Sequence, residues 1–236
     1  MRCRFAAVLT LPLAFAGTAF AASAGPQVQI DAADQGWAAA ISLTTADFGT
    51  GWTSSGTGAG LAATDAVVAA CPELALDESD LTATGGEASP DFNGPGGAYV
   101  ASEAIVWSTA DQAQADWDRE QQTGFLDCFA TEAVHASTKA VKVKVVAKGA
   151  LPFPGVAPRA AAYRLRLTYT TKVRVKKTKK LRTVSVSGNF DFILVGNGRV
   201  NVFLFANSFA ASPIADAFEQ QLAAKVAARL AADPHA

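Results

Sequence analysis

Basic side chains are concentrated at one predicted hairpin. Seven of them fall within eleven positions: Lys172, Arg174, Lys176, Lys177, Lys179, Lys180 and Arg182. Such a cluster predicts a polyanion-binding finger, for a phosphate-bearing wall polymer, anionic lipid headgroups or nucleic acid, and its contacts would weaken with salt. The hairpin tip lacks the aromatic residues that single-stranded nucleic acid binding usually requires. Two other interpretations stay open: the lysines keep an exposed ribbon from pairing with another sheet, or they face acidic residues of the same chain.

The charges of the chain are divided by position. From Asp31 to Glu132 there are 17 acidic residues and one basic residue, Arg119. From Lys139 to Arg199 there are 15 basic residues and one acidic residue, Asp191. Because opposite charges attract, the two segments are expected to pack into one unit.

Residues that could catalyse hydrolysis form no recognisable motif. The histidines outside the first 24 residues are His135 and His235, and no G-x-S-x-G elbow precedes them. His135 is expected at a helix C-terminus, where the helix dipole favours a positive side chain. The sequence has neither H-E-x-x-H nor paired C-x-x-C spacing, so no metal site and no cofactor is predicted. Two carboxylates could still meet in space as acid and base, and a hydrolase with such an acidic site stays an alternative.

The first 24 residues predict a secretory signal peptide. Arg2 and Arg4 precede an apolar run from Phe5 to Phe20, and small residues follow it. Cleavage is expected after Ala21 or Ala24. The apolar run is too short for a comfortable membrane span, so we expect a secreted, extracytoplasmic protein without one.

Removal of this segment would leave two cysteines, Cys71 and Cys128, because Cys3 lies within it. An even pair in an oxidising compartment predicts one disulfide. Closing a loop of this length stabilises a fold by roughly 4 kcal/mol in the chain-entropy account. Residues 25–236 are expected to form a single α+β domain and a monomer.

Alternation of apolar and polar residues predicts about six strands. The clearest pattern opens a three-stranded meander over residues 163–207, where Tyr163, Leu165 and Leu167 face one way and Arg164 and Arg166 the other. The remaining strands are predicted at 99–107, at 139–148 and, as an edge strand broken by proline, at 81–92.

Helices are predicted at 32–43, from Ser108 as N-cap, after Gly124, and from Ser212 and Pro213 to about residue 232. The helix from Pro213 or the one from Thr109 is expected to cover the apolar row of the first meander strand. The predicted fold class is therefore α+β, a twisted antiparallel sheet with helices packed on it.

Several segments in order carry a family resemblance: "LTTADFGTGWT", then Cys71, "EASPDF", "VASEAIVWST", an alanine-rich helix with Trp117, and Cys128. Together they resemble the extracytoplasmic sensor domain of PknH-type receptor kinases and the related PsbP/LpqN-like secreted proteins, over about residues 41–230. The resemblance implies a twisted antiparallel sheet with helices, a cleft, and ligand sensing or envelope binding without catalysis. Such sensor domains tend to carry more than one disulfide, whereas this chain allows one after export.

These observations favour a secreted, non-enzymatic binding domain with a sensor-like role. Its ligand would be a small molecule or a cell-envelope component, bound in a cleft beside the sheet and lined by Trp52, Phe92 and Trp107. The alternatives are a polyanion-binding protein that uses the basic hairpin and a hydrolase with an unrecognised acidic site.

Overall fold

The structure, a computed structural model, describes residues 25–56, 77–121, 124–135, 137–174, 180–209 and 214–232. The predicted signal peptide and Cys71 lie outside these residues. Within them, all strands belong to one sheet. In chain order the strands are β1 (Gln27–Val28), β2 (Thr53–Ser55), β3 (Thr82–Ala88), β4 (Asp91–Asn93), β5 (Ala98–Trp107), β6 (Val141–Ala150), β7 (Arg159–Arg174), β8 (Leu181–Asn197) and β9 (Val200–Ser208).

The order across the sheet is β1-β3-β5-β9-β8-β7-β6, with β4 beside β5 and β2 beside β4. Every pairing is antiparallel except that of β1 with β3. The predicted fold class is confirmed, and β7, β8 and β9 form the predicted meander. The sheet has nine described strands because two short ones carry no periodic pattern and the predicted strand 81–92 is divided. Its break falls at Ser89 and Pro90, where proline cannot donate a ladder hydrogen bond.

Four described helices pack on the sheet: α1 (Ala32–Ile41), α2 (Ala110–Glu120), α3 (Phe125–His135) and α4 (Asp216–Ala231). The helices α1 and α4 cover one face, which includes Ala162, Ile193 and Leu204; we call it the α4 face. The helix α3 covers the other face, which includes Leu165 and Phe192, and α2 packs beside it; we call this the α3 face. No described helix has the length and apolar character that crossing a membrane requires.

The α4 helix is held by its apolar stripe. Leu222, Val226 and Leu230 are at most 2% exposed, and each such burial contributes about 1.5–3 kcal/mol. The helix begins at Asp216, with Ala215 in the N-cap position, so the predicted start at Ser212 and Pro213 is wrong. Those two residues lie outside the described ones.

Two other details of the predicted helices differ. Thr109 and not Ser108 is the N-cap of α2, since the Thr109 hydroxyl accepts the backbone N–H of Gln112 at 3.2 Å. The apolar row of β7 is covered by α3, so neither expected helix covers it. Gly124, with φ of +143°, separates α2 from α3 and allows the chain to turn onto this face.

Candidate functional site

The predicted polyanion-binding residues lie at one end of the meander. Lys172 and Arg174 end β7, Lys180 precedes β8, and Arg182 lies near its start; all four are exposed. Lys176, Lys177 and Lys179 lie outside the described residues. Arg182 is paired with Val173 across the hairpin, whereas Lys172 is paired with Thr183. Directly opposed residues share a side of the sheet, so Arg182 projects from the α3 face and Lys172 and Arg174 from the α4 face.

Arg164 belongs to the same row on β7 but is turned into the core. Its guanidinium donates to both carboxylate oxygens of Asp191, at 2.6 and 2.9 Å, and to Asp216 at 2.9 Å. The carboxylate of Glu219 lies 3.6 Å away. Asp191 and Glu219 are 1% and 2% exposed, so this is a buried ionic network between the sheet and α4.

The close packing of these groups shifts the pKa values of Glu219 and Arg164. Burial, and after it the negative charge of Asp191, raises the pKa of Glu219 to about 9. The hydrogen bond from Arg164 to Asp191 raises the pKa of the arginine above its usual value. At neutral pH Glu219 is therefore protonated, which removes one negative charge from the surroundings of the Arg164 guanidinium.

An open cleft of about 310 Å³ lies beside this network, at the end of β6. Its lining residues are Ala147, Lys148, Gly149, Ala150, Leu151, Arg164, Arg166 and Asn189. Asn189 is 3% exposed and Arg166 is exposed. We call this the Arg166 cleft. In the register, Asn189 is opposite both Arg166 and Ser208, and the buried Ser208 hydroxyl has no hydrogen-bond partner among the described residues.

Of the three residues predicted to line a ligand cleft, Phe92 and Trp52 lie in one apolar cluster and Trp107 lies in another. Phe92 is fully buried in the core of the α4 face, with Phe48 stacked on it at 4.1 Å. Trp52 is half-buried and stacks on Phe218, with centroids 5.4 Å apart. Trp107 is buried in a different cluster, beside α2. The three do not line one pocket, because Trp107 and Val100, the residue opposite Phe92, point to opposite faces of β5.

Trp107 instead contributes to a polar group of residues under α2. Its Nε1 donates to Asp116 at 3.1 Å, and the amide of Asn201 donates to the same carboxylate oxygen at 2.6 Å. Asp116 is 3% exposed. Burial raises the pKa of Asp116 to about 6, although both hydrogen bonds oppose this shift. The Asp116 carboxylate is accordingly held by donors of the fold itself.

Two further carboxyl groups lie near Asp116. Burial, followed by the charge of Asp116, raises the pKa of Glu78 to about 7 and that of Glu120 well above its usual value. Perturbed carboxyl groups are a mark of acid–base sites as well as of structural clusters. The described residues contain no group of three or more side chains arranged to hold a metal ion.

The acidic and basic segments are joined by individual ion pairs. Lys148 forms an ion pair with Asp127 of α3, and Arg199 donates to both oxygens of Asp34 at 3.0 and 2.8 Å. The exposed basic residues of β7 form no ion pair with the described part of the acidic segment. Arg164, which does form ion pairs, binds Asp191 and Asp216, which lie outside the acidic segment.

His135 and Cys128 lie on α3. His135 is exposed at its C-terminus, as expected. Cys128 is 5% exposed and disulfide-bonded. The residue that pairs with it is outside the described ones, so the Cys71–Cys128 pairing stays a prediction.

Two of the buried polar residues in this region could not be predicted from the sequence. Asn189 and Glu219 give no local signal, because they meet the β7 row only through strand register and through packing of α4. Asp191 does give one, since it is the single acidic residue from Lys139 to Arg199. An isolated opposite charge within a basic strand pair indicates a partner across the strands.

No protein-family model matches the chain, and no curated protein matches it either. Among solved structures, the extracellular domain of PknH from Mycobacterium tuberculosis is similar, with 13% identity and a TM-score of 0.39. The match covers 84% of this chain and 97% of that chain. This neighbour is of the PknH type named by the sequence resemblance; the likeness to PsbP- and LpqN-like proteins stays a prediction. A likeness of this degree assigns no function to the chain.

Proposed function

We propose that the chain is a secreted, extracytoplasmic binding domain without catalytic activity, and that it binds a small ligand with a carboxylate or phosphate group in the Arg166 cleft. The observation that carries the proposal is the set of donors around this cleft. Arg166 and Asn189 line it together with Arg164. Guanidinium and amide groups are the donors that recognise such anions, and guanidinium does so in a bidentate manner.

The two arginines differ in a way that suits binding. Arg164 is fixed by two hydrogen bonds to Asp191, so its position is set before a ligand arrives. Arg166 is exposed and forms no side-chain hydrogen bond or ion pair within the described part of the chain. The pre-positioned Arg164 lowers the ordering cost of binding, and the free guanidinium of Arg166 leaves its donors available for the anion.

The first experiment identifies what the exported protein carries. The protein is purified under native conditions, and mass spectrometry is used to identify bound small molecules. Thermal shifts with inorganic phosphate, glycerol phosphate and citrate provide a parallel readout. We expect an anionic compound whose affinity falls at least tenfold in Arg166→Gln, since a charged hydrogen bond is worth about 1.5–3 kcal/mol.

A second variant blocks the cleft without removing charge. Ala147 lines the cleft, is exposed and is opposite Arg166 in the register, so Ala147→Trp should exclude the ligand. Arg182→Gln is the matched control, because it removes an exposed arginine from the other face of the sheet. Equal ligand retention in Arg166→Gln, Ala147→Trp and the control would refute the proposal.

A hydrolase using the carboxyl groups near α2 is the second candidate. The observation that favours it is the pKa of Glu78, raised to about 7 by burial, beside Glu120. The test is a screen of glycoside, ester and phosphate substrates. Any turnover that Glu120→Gln abolishes while leaving the melting temperature unchanged would support this candidate over a pure binding role.

A further inference from the structure

Part of the sheet extends beyond the helices as an arm with two unlike sides. The arm consists of residues 141–145 of β6, 167–174 of β7 and 181–187 of β8. Within it β7 pairs with β6 over residues 167–171 and with β8 over residues 168–174. Val143, Val145 and Tyr169 of the arm are half-buried and pack against the apolar cluster that α3 covers. Beyond these residues, its apolar side is not covered by any described helix.

The side of the arm on the α3 face is mostly apolar and partly open to solvent, with Arg182 as its one charged residue among the described ones. Val173 and Val186 are 44% and 41% exposed, and Phe209, just after β9, is 46% exposed. Phe209 lies against Tyr169, with ring centroids 5.7 Å apart. Val184 is opposite Thr171 in the same row. These side chains form an exposed apolar strip, interrupted by Thr171 and bordered by Arg182 opposite Val173, of a kind that soluble surfaces usually avoid.

The side of the arm on the α4 face is basic. Lys142, Lys144, Lys172 and Arg174 are exposed there, and Arg166 continues the row at the base. Threonine and serine residues lie between them, as in the pairs of Lys142 with Thr170 and of Lys172 with Thr183. From Lys139 to Arg199 the one acidic residue is Asp191, and Arg164 binds it at the base of the arm. No carboxylate of this segment therefore neutralises the basic side.

We propose that this arm docks on an anionic lipid surface, with its apolar strip in the headgroup boundary and its basic side chains on the lipid phosphates. An element with a basic polar side and an exposed apolar side is suited to an interface plane. Lysine and arginine stems are long enough to bring their charges to the headgroups from the opposite side of a thin ribbon. A soluble polyanion would use the charges alone and leave the apolar strip without a partner. The inference does not rest on the ligand cleft.

Vesicle co-sedimentation tests the inference, with vesicles of pure phosphatidylcholine and vesicles containing one-third phosphatidylglycerol. We expect binding to the second kind only. The triple variant Lys142→Gln/Lys172→Gln/Arg174→Gln should weaken it about 100-fold, since each basic residue near an anionic surface contributes about fivefold. Val173→Ser/Val186→Ser should also reduce binding to these vesicles strongly, while leaving retention on a soluble polyphosphate resin unchanged.

The matched control is Val28→Ser/Ile30→Ser. Both residues are 55% exposed and lie at the opposite edge of the sheet, so this variant should bind vesicles as the unaltered protein does. Melting temperatures confirm that each variant is folded. If the valine variant binds phosphatidylglycerol vesicles fully, the arm is a polyanion site or a bare ribbon and the lipid proposal is wrong. It is equally wrong if the apolar strip instead pairs two copies, which would appear as a dimer that Val173→Ser/Val186→Ser dissociates.

Discussion

Glu219 gives the sharpest prediction, because its burial makes stability depend on pH. In the folded protein its pKa is raised from 4.5 to about 9, so the folded state keeps a proton that the unfolded chain releases above pH 4.5. The stability that this group contributes is fully present below pH 4.5 and is lost as the pH rises towards 9. At pH 7 the loss is about 2–3 kcal/mol. Each pH unit above 4.5 costs about 1.4 kcal/mol, and water near the carboxyl group reduces the total.

Glu219→Gln removes this dependence, since an amide resembles the protonated acid in shape and can donate to Asp191 without ionising. We expect the variant to match the unaltered protein at pH 4.5 and to be more stable by about 2–3 kcal/mol at pH 7, with a growing difference up to pH 9. The assay is urea unfolding followed by circular dichroism at several pH values, with the disulfide intact. Other groups that titrate in this range are present in both proteins and cancel in the difference.

Asp111→Asn is the control, because Asp111 is an exposed carboxylate on α2. The free energies of unfolding of Asp111→Asn and of the unaltered protein should differ by about the same amount throughout the range between pH 4.5 and 9. The assignment of a buried, protonated Glu219 would be contradicted by either of two results. One is a difference in unfolding free energy between Glu219→Gln and the unaltered protein that stays constant across this range; the other is a Glu219→Gln variant that is less stable at pH 7. It would mean that water or rearranged partners solvate this carboxylate in the folded state.

Three other substitutions test close contacts of the fold by urea unfolding. Gly85→Ala places a Cβ 2.5 Å from the backbone of α1, and forcing the helix off β3 should cost about 3 kcal/mol. Gly94→Ala places a Cβ 2.7 Å from the Trp52 ring; we expect a loss of about 1–2 kcal/mol and altered tryptophan fluorescence, because the ring can move. Arg164→Ala leaves Asp191 as a buried charge without its main partner and should cost about 3–5 kcal/mol. A cost below 1 kcal/mol would show that Asp191 is solvated.

The meander could be predicted because a period of two is a direct property of an extended backbone. The alternation that begins at Tyr163 therefore identified the core side of β7 correctly. The identity of the covering helix could not be predicted, since α2, α3 and α4 all carry apolar residues and periodicity does not say which face each one meets.

The candidate site could be predicted only in part. Exposed lysines at the meander end follow from composition, and Lys172 and Lys180, the two that the structure describes, are exposed. The network of Arg164 with Asp216 joins residues that are 52 positions apart, so it depends on where α4 lies on the sheet. The Ser212–Pro213 signal is a local preference, and a helix start at Asp216 places that carboxylate beside the guanidinium.

A bulge in β6 determines from which side of the sheet Lys148 projects. Val145 is opposite Leu167 and Ala147 is opposite Arg166, so Val146 is an extra residue between two paired positions. One inserted residue reverses the side on which all following side chains project. Lys148 thereby reaches Asp127 of α3 instead of joining the basic side of the arm. If Val146 were paired with Arg166 instead, Lys148 would lie opposite Arg164, so a single unpaired position divides the lysines of this strand between holding a helix and facing the surroundings.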